Sequence, residues 1–387
     1  MKIYNLIFLL LSNFLFLSLS GQEIKAPIMG WSSWNSFRVH IDENLIKSQA
    51  DAMITTGMFK AGYRYINVDD GYFGGRDSQG KLYVDSVKFP NGMKQISEYL
   101  HSKGLKAGLY SEGGCNTCGS IYDQDHKGIG VGMYGHERQD ANLFFKEWNF
   151  DFIKIDWCGG LVMKLNDQEQ YSKIVDAIRE IKSDAGINIC RWQFPGEWAV
   201  NMVDSWRISE DIRNNFKSVL SIIDINKHLD KYSSPGHYND MDMLQVGRGM
   251  SYEEDKTHFS MWCMLNSPLL AGNDLTKIST ETLDILTHKE LISLNQDKAF
   301  KQAKFILNEG DVDLWKKELY HNKEVAIAIL NRSDKSIDYQ LDSRKVGVLP
   351  TSKTRDLWQR KNLGKLGISR IISLPPHGIV VLRLQTQ

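Results

Sequence analysis

The chain has 387 residues, 42% of them hydrophobic, enough to bury one large core with a smaller unit beside it. Forty-seven basic residues balance forty-seven acidic ones, which leaves no electrostatic footprint for nucleic acid or an anionic membrane surface and points to an uncharged or mixed-charge ligand. Ten Trp, fifteen Tyr and sixteen Phe supply aromatic faces of the kind that stack on sugar rings when they stand in a pocket.

In chain order, Met1-Lys2-Ile3, the apolar run Leu6 to Leu19 and Ser20-Gly21-Gln22 have the form of a signal peptide over residues 1–21, so the mature chain is expected to be exported to the periplasm or the exterior. The run is short for a membrane span and lacks a basic stop-transfer flank, so no stable membrane anchor is expected. Residues 22–300 alternate short apolar runs with helical periodicity. Ala26 to Met29 leads into Gly30-Trp31-Ser32-Ser33-Trp34, and Asp42 caps a helix reaching Thr56. Tyr63 to Asp70 is a second strand, with a helix through Ile96 to Ser102 stopped by Gly104. Leu105 to Tyr110 is a third, followed by the helix His136 to Trp148. The fourth is Asp151 to Cys158, with Gln168 to Lys182 as its helix. Ile187 to Trp192, Ser205 to Ser209, His237 to Leu244 and Pro268 to Ala271 complete eight strands, interleaved with helices over Phe216 to Tyr232, Tyr252 to Leu265 and Glu281 to Asn295. Eight such units predict a (β/α)₈ barrel. Residues 301–387 change texture: Leu314 to Lys317, Glu324 to Leu330, Thr354 to Trp358 and Gly378 to Leu382 predict a smaller antiparallel β-sandwich domain, with no catalytic cluster in it.

The chemistry is concentrated at strand ends, where barrel enzymes keep their functional groups. Asp156 closes the fourth strand two residues after Lys154, and Trp206-Arg207-Ile208-Ser209-Glu210-Asp211 brings further acids to the sixth. Aspartates at such places also serve as helix caps and turn formers, but here they come in a series, and paired carboxylates suit glycoside hydrolysis. Glu210 competes with Asp211. On an extended strand only one of two neighbours faces a pocket.

Five motifs in order, Met29-Gly30-Trp31-x-x-Trp34, Asn67-Val68-Asp69-Asp70, Lys154-Ile155-Asp156-x-Cys158, Trp206-Arg207-x-x-x-Asp211 and Asn239-Asp240-x-Asp242-Met243-Leu244, make the chain resemble glycoside hydrolase family 27, the α-galactosidase (melibiase) family. That resemblance implies a retaining exo-glycosidase acting on carbohydrate with a terminal α-galactose, with Asp156 as nucleophile and Asp211 as general acid/base. It implies that Trp34, Asp69, Asp70, Tyr110, Lys154, Arg207 and Asp242 bind the substrate and that Cys118 pairs with Cys158. Lys154 is expected to keep Asp156 ionised, while Asp211 needs its pKa lifted once substrate is bound. Cys190 and Cys263 read as core residues, and Cys115 is unassigned.

Three departures matter. Val39 and Gly71 stand where many members of the family carry a second cysteine pair, and Glu112 stands where Asp is usual. Arg191 stands where α-galactosidases commonly carry Glu, at a position that reads the sugar's C2 substituent, unless it turns away to Glu112 or Glu197. Other terminal sugars (β-L-arabinopyranose, α-N-acetylgalactosamine, an acidic galactoside) and an inactive carbohydrate-binding barrel are the alternatives. A metal-dependent hydrolase using Asp69, Asp70, Asp240 and Asp242 is disfavoured because no His-x-His or His-Glu-x-x-His pattern accompanies them, so neither metal nor cofactor is expected. The aglycone and the oligomeric state are left open.

Overall fold

The computed structural model describes residues 25–321 and 323–385, so the expected signal peptide lies outside the described residues. Among the described residues no helix is long and apolar enough to cross a membrane. Eight parallel strands form one sheet: β1 (Met29–Ser32), β2 (Tyr65–Val68), β3 (Lys106–Glu112), β4 (Phe152–Asp156), β5 (Gly186–Ile189), β6 (Ser205–Arg207), β7 (Tyr238–Asp240) and β8 (Leu269–Ala271). They pair in the order β8-β1-β2-β3-β4-β5-β6-β7. The ring is completed just past β7, where the Leu244 N–H donates to the Leu270 carbonyl at 2.8 Å and Leu244 bridges to Ala271. All eight carboxyl ends therefore open on one rim.

Parallel strands covered on both faces are largely apolar, and β1 and β5 are buried at every position, Ser32 and Asn188 included. Gly30 is required by packing: a Cβ there would lie 2.3 Å from the Tyr65 carbonyl oxygen on the neighbouring strand. The helices begin where their caps predict. Asp42 accepts from the Leu45 N–H ahead of Glu43–Thr55, Asn166 from Glu169 ahead of Asp167–Ile181, and Ser251 and Glu254 form a capping box on Tyr252–Met264.

Three expected helices are interrupted. His136 to Trp148 becomes a short α-helix, Glu137–Ala141, running into π-helical Asn142–Glu147. Phe216 to Tyr232 stops at Asn226 and resumes as a 3₁₀ turn, Asp230–Tyr232. Glu281 to Asn295 breaks at His288, whose ring accepts from the Leu291 N–H and caps a second helix, Lys289–Asn295. A hairpin of Phe73–Arg76 with Leu82–Val84, absent from the sequence reading, follows β2 and is tied down by Arg76, which donates to both Asp140 carboxylate oxygens at 2.8 and 2.6 Å.

The C-terminal domain is antiparallel, a six-stranded sheet (304–309, 312–318, 324–331, 379–385, 353–356, 361–365) with a two-stranded sheet (337–342, 369–374) beside it. Alternation along its central strands divides two cores: Leu314, Ile327, Ile329 and Leu382 pack with Tyr339, Leu341 and Ile372, whereas Trp315, Ala328, Leu330 and Val381 belong to the barrel's core. Ion pairs reinforce the junction, Arg355 with Glu290 at 2.7 Å and Arg332 with Asp224 at 2.7 Å.

Candidate active site

The rim of carboxyl ends surrounds a cavity of about 630 Å³, bordered by Trp34, Asp69, Tyr110, Lys154, Asp156, Arg207, Asp211 and Asp242 among others. Register explains the floor. Tyr110 pairs with Lys154 and Glu112 with Asp156 across β3 and β4, so residues two apart on each strand point the same way. Lys154 Nζ lies 3.3 Å from Asp69 and 3.6 Å from Asp156, and 5.5 Å from the centre of the Tyr110 ring. Burial works against the ammonium, but Asp69 and Asp156 outweigh it and hold Lys154 firmly protonated.

Asp156 is sealed, its side chain 7% exposed, and its carboxylate accepts from the Trp157 N–H at 3.0 Å. Burial raises its pKa; Lys154 opposes that, and the charges of Asp211 and Asp69 add to it, so Lys154 offsets the burial without cancelling it. Asp211 is the open member of the pair, 64% exposed, with Arg207 donating to it at 3.1 Å. Partial desolvation pushes Asp211 upward, but the positive charges of Arg207 and Lys154 outweigh it and leave its pKa lowered. Arg207 also reaches Asp242 at 3.0 Å. Burial lifts Asp242 to about 6 against that pairing.

Two residues expected at the pocket stand off its wall. Asp70 is fully buried and accepts from the Gly119 N–H at 2.6 Å and the Gly71 N–H at 2.8 Å, which turns its carboxylate under the loop after β3. Arg191 pairs with Asp167, the first residue of the helix Asp167–Ile181, and neither Glu112 nor Glu197 is its partner. Conversely, Glu210 borders the cavity together with Asp211. Strand alternation does not choose between them because β6 ends at Arg207 and both lie in the loop beyond it.

Loops also bring residues that strand-end reasoning passed over. Trp192, in a left-handed conformation (φ 59°), borders the cavity, as do Tyr122, Leu161 and Arg213. Arg38 lies over the Trp34 ring at 4.2 Å and is held by Asp123 at 2.6 Å. Cys118 and Cys158 form the expected disulfide, and Cys190 and Cys263 are buried free thiols. Of the acids considered as metal ligands, Asp69 is engaged by Lys154, Asp242 by Arg207 and Asp240 by the Asn188 amide at 2.8 Å.

The family model for α-galactosidase A matches residues 26–297, and that for the α-galactosidase C-terminal β-sandwich domain matches residues 309–384. The chain belongs to glycoside hydrolase family 27, the α-galactosidase family. It is 41% identical to α-galactosidase A of Cellvibrio japonicus over 94% of this chain and 93% of that one. Among solved structures it is similar to α-galactosidase I of Mortierella vinacea (TM-score 0.87, 31% identity, 94% of this chain and 97% of that one). The Saccharomyces cerevisiae α-galactosidase with raffinose is also similar (TM-score 0.84, 25% identity, 94% and 98%). Membership fixes the enzyme class as glycoside hydrolase and matches the barrel-plus-sandwich architecture.

Proposed function

We propose that the chain is an exported, retaining exo-α-galactosidase in which Asp156 is the nucleophile and Asp211 the general acid/base. The observation that carries this reading is one cavity holding a sealed carboxylate braced by Lys154 and an open carboxylate held by Arg207. Asp156 attacks C1 while Asp211 gives its proton to the departing glycosidic oxygen, leaving a galactosyl ester on Asp156. Asp211 then takes a proton from water, which attacks C1 and releases galactose with its anomeric configuration retained. The double role follows from the coupling of the two charges. Substrate covering the open face of Asp211 adds desolvation that raises its pKa, and esterification of Asp156 removes a negative charge nearby, which lowers it again. Asp69 and Asp242, each fixed by a cation, offer carboxylate acceptors to the sugar hydroxyls, and Trp34 and Tyr110 supply walls.

Release of nitrophenol from an aryl α-galactoside, with NMR of the first-formed anomer, tests activity and stereochemistry together. Asp156→Asn should be inactive with every leaving group. Asp211→Asn should keep its first step with α-galactosyl fluoride, which needs little protonation, and lose it with alkyl galactosides. Equal loss with both substrates would remove the role assignment, and a β-anomer as first product would remove the retaining mechanism.

A further inference from the structure

The mouth of the cavity differs in character from its floor. Asp69, Lys154, Asp156, Arg207 and Asp242 are a polar set suited to one sugar ring, yet the cavity of about 630 Å³ continues outward past them. There it is bordered by Tyr122 and Leu161, which are 66% and 59% exposed. A ligand that extends past the polar floor therefore meets two apolar side chains on its way out. These two stand on short helices, Cys118–Tyr122 after β3 and Cys158–Val162 after β4, on neighbouring strands.

The two helices form one rigid unit. The disulfide joins their first residues, and the loop before the first is pressed onto the second so closely that a Cβ on Gly159 would lie 2.5 Å from the Asn116 carbonyl oxygen. Charged groups stand on the same mouth, with Glu210 and Arg213 beside Asp211 in the loop after β6. A sugar ring has that same mixture, a C–H face and a hydroxyl edge. Because Asp211 is the open carboxylate, the oxygen it protonates, and the group attached to that oxygen, must lie toward this mouth.

We propose that Tyr122 and Leu161 form a subsite for the leaving group, taking the apolar face of the sugar ring next to the terminal residue while Glu210 and Arg213 meet its hydroxyls; the proposal rests on the exo-galactosidase reading above. The chain thus favours oligosaccharides over galactosides with small leaving groups. The test compares kcat/KM on raffinose, whose leaving group is a sugar, with that on α-galactosyl fluoride, whose leaving group is one atom and cannot reach Tyr122 or Leu161. In Tyr122→Ser/Leu161→Ser the ratio of the raffinose value to the fluoride value should fall about tenfold, the worth of a partly covered ring and side chain. Tyr122→Phe, which keeps the flat face, should hold the wild-type ratio. Equal loss on both substrates, or an unchanged ratio in the double variant, would overturn the subsite. If the wild-type protein turned over neither substrate, the galactosidase reading itself would fall, and the subsite with it.

Discussion

Glu112 offers the sharpest test of how the site is charged. It is fully buried beside Asp156 on the adjacent strand, and its Oε1 accepts from the Gly114 N–H at 2.9 Å and the Gly160 N–H at 3.3 Å. Burial first, and then the Asp156 charge, raise its pKa to about 8 despite those bonds. The folded protein therefore holds Glu112 as a neutral acid across most of the physiological range, whereas the unfolded chain ionises it near the ordinary glutamate value of 4.5. Between those limits the native state binds the extra proton, so stability falls as pH rises, by about 1.4 kcal/mol per pH unit. Over the full window the loss attributable to this one group is about 5 kcal/mol. Glu112→Gln keeps an oxygen for both glycine N–H groups and does not titrate. Urea unfolding of both proteins from pH 4.5 to 8.5 should therefore show the variant gaining on the wild type steadily with pH, by several kcal/mol at the alkaline end. Comparison of the two removes the contributions of Asp70 and Asp255, which burial raises to about 7 and which both proteins share. A stability difference that did not change with pH would refute the neutral Glu112.

Three further outcomes are expected. Replacing both Cys118 and Cys158 by Ser, which leaves no orphan thiol, removes a crosslink spanning 40 residues and should cost about 4 kcal/mol on chain entropy, read as a lower urea midpoint and compared with the reduced wild type. Gly114→Ala should abolish activity or folding, because its Cβ would meet the Gly159 carbonyl carbon and the Gly160 nitrogen at 2.2 Å and backbone has no way to yield; soluble protein with wild-type kcat would contradict this. Arg191→Ala should leave the relative rates on aryl galactosides and N-acetylgalactosaminides within about threefold of wild type, since its guanidinium is engaged by Asp167 and does not border the cavity; a tenfold change in that ratio would return Arg191 to the pocket.

Much of the barrel was legible because its strands are short, largely apolar runs that end in polar groups, and most are followed by a segment of helical periodicity. Asp42, Asn166 and Ser251 all accept from the N–H three residues ahead, a local interaction that neighbouring sequence alone determines. Illegible parts depend on distant partners. The hairpin at Phe73–Arg76 contains two consecutive glycines and is held by Asp140, 64 residues away. In the C-terminal domain the strands at 304–309 and 361–365 lie half open to solvent at the sheet's edges with no strict alternation, whereas 337–342 and 369–374, also outside the runs read from sequence, do alternate and pair only with each other.

The same distinction runs through the site. Lys154 and Asp156 lie within β4, two residues apart, and the strand's period of two aims both at the cavity whatever the loops do. Beyond a strand's end that rule fails, and the backbone decides. Asp242 follows β7 with φ 75°, which lets its carboxylate meet Arg207. At the end of β5, Arg191 and Trp192 are adjacent in sequence, yet Asp167 draws the first away while a left-handed turn presents the second to the cavity. Asp69 and Asp70 divide similarly, one toward Lys154 and the other under the Gly119 loop. The mouth of the pocket is built by loops, where side-chain directions depend on distant partners, and it is there that the proposed leaving-group subsite lies.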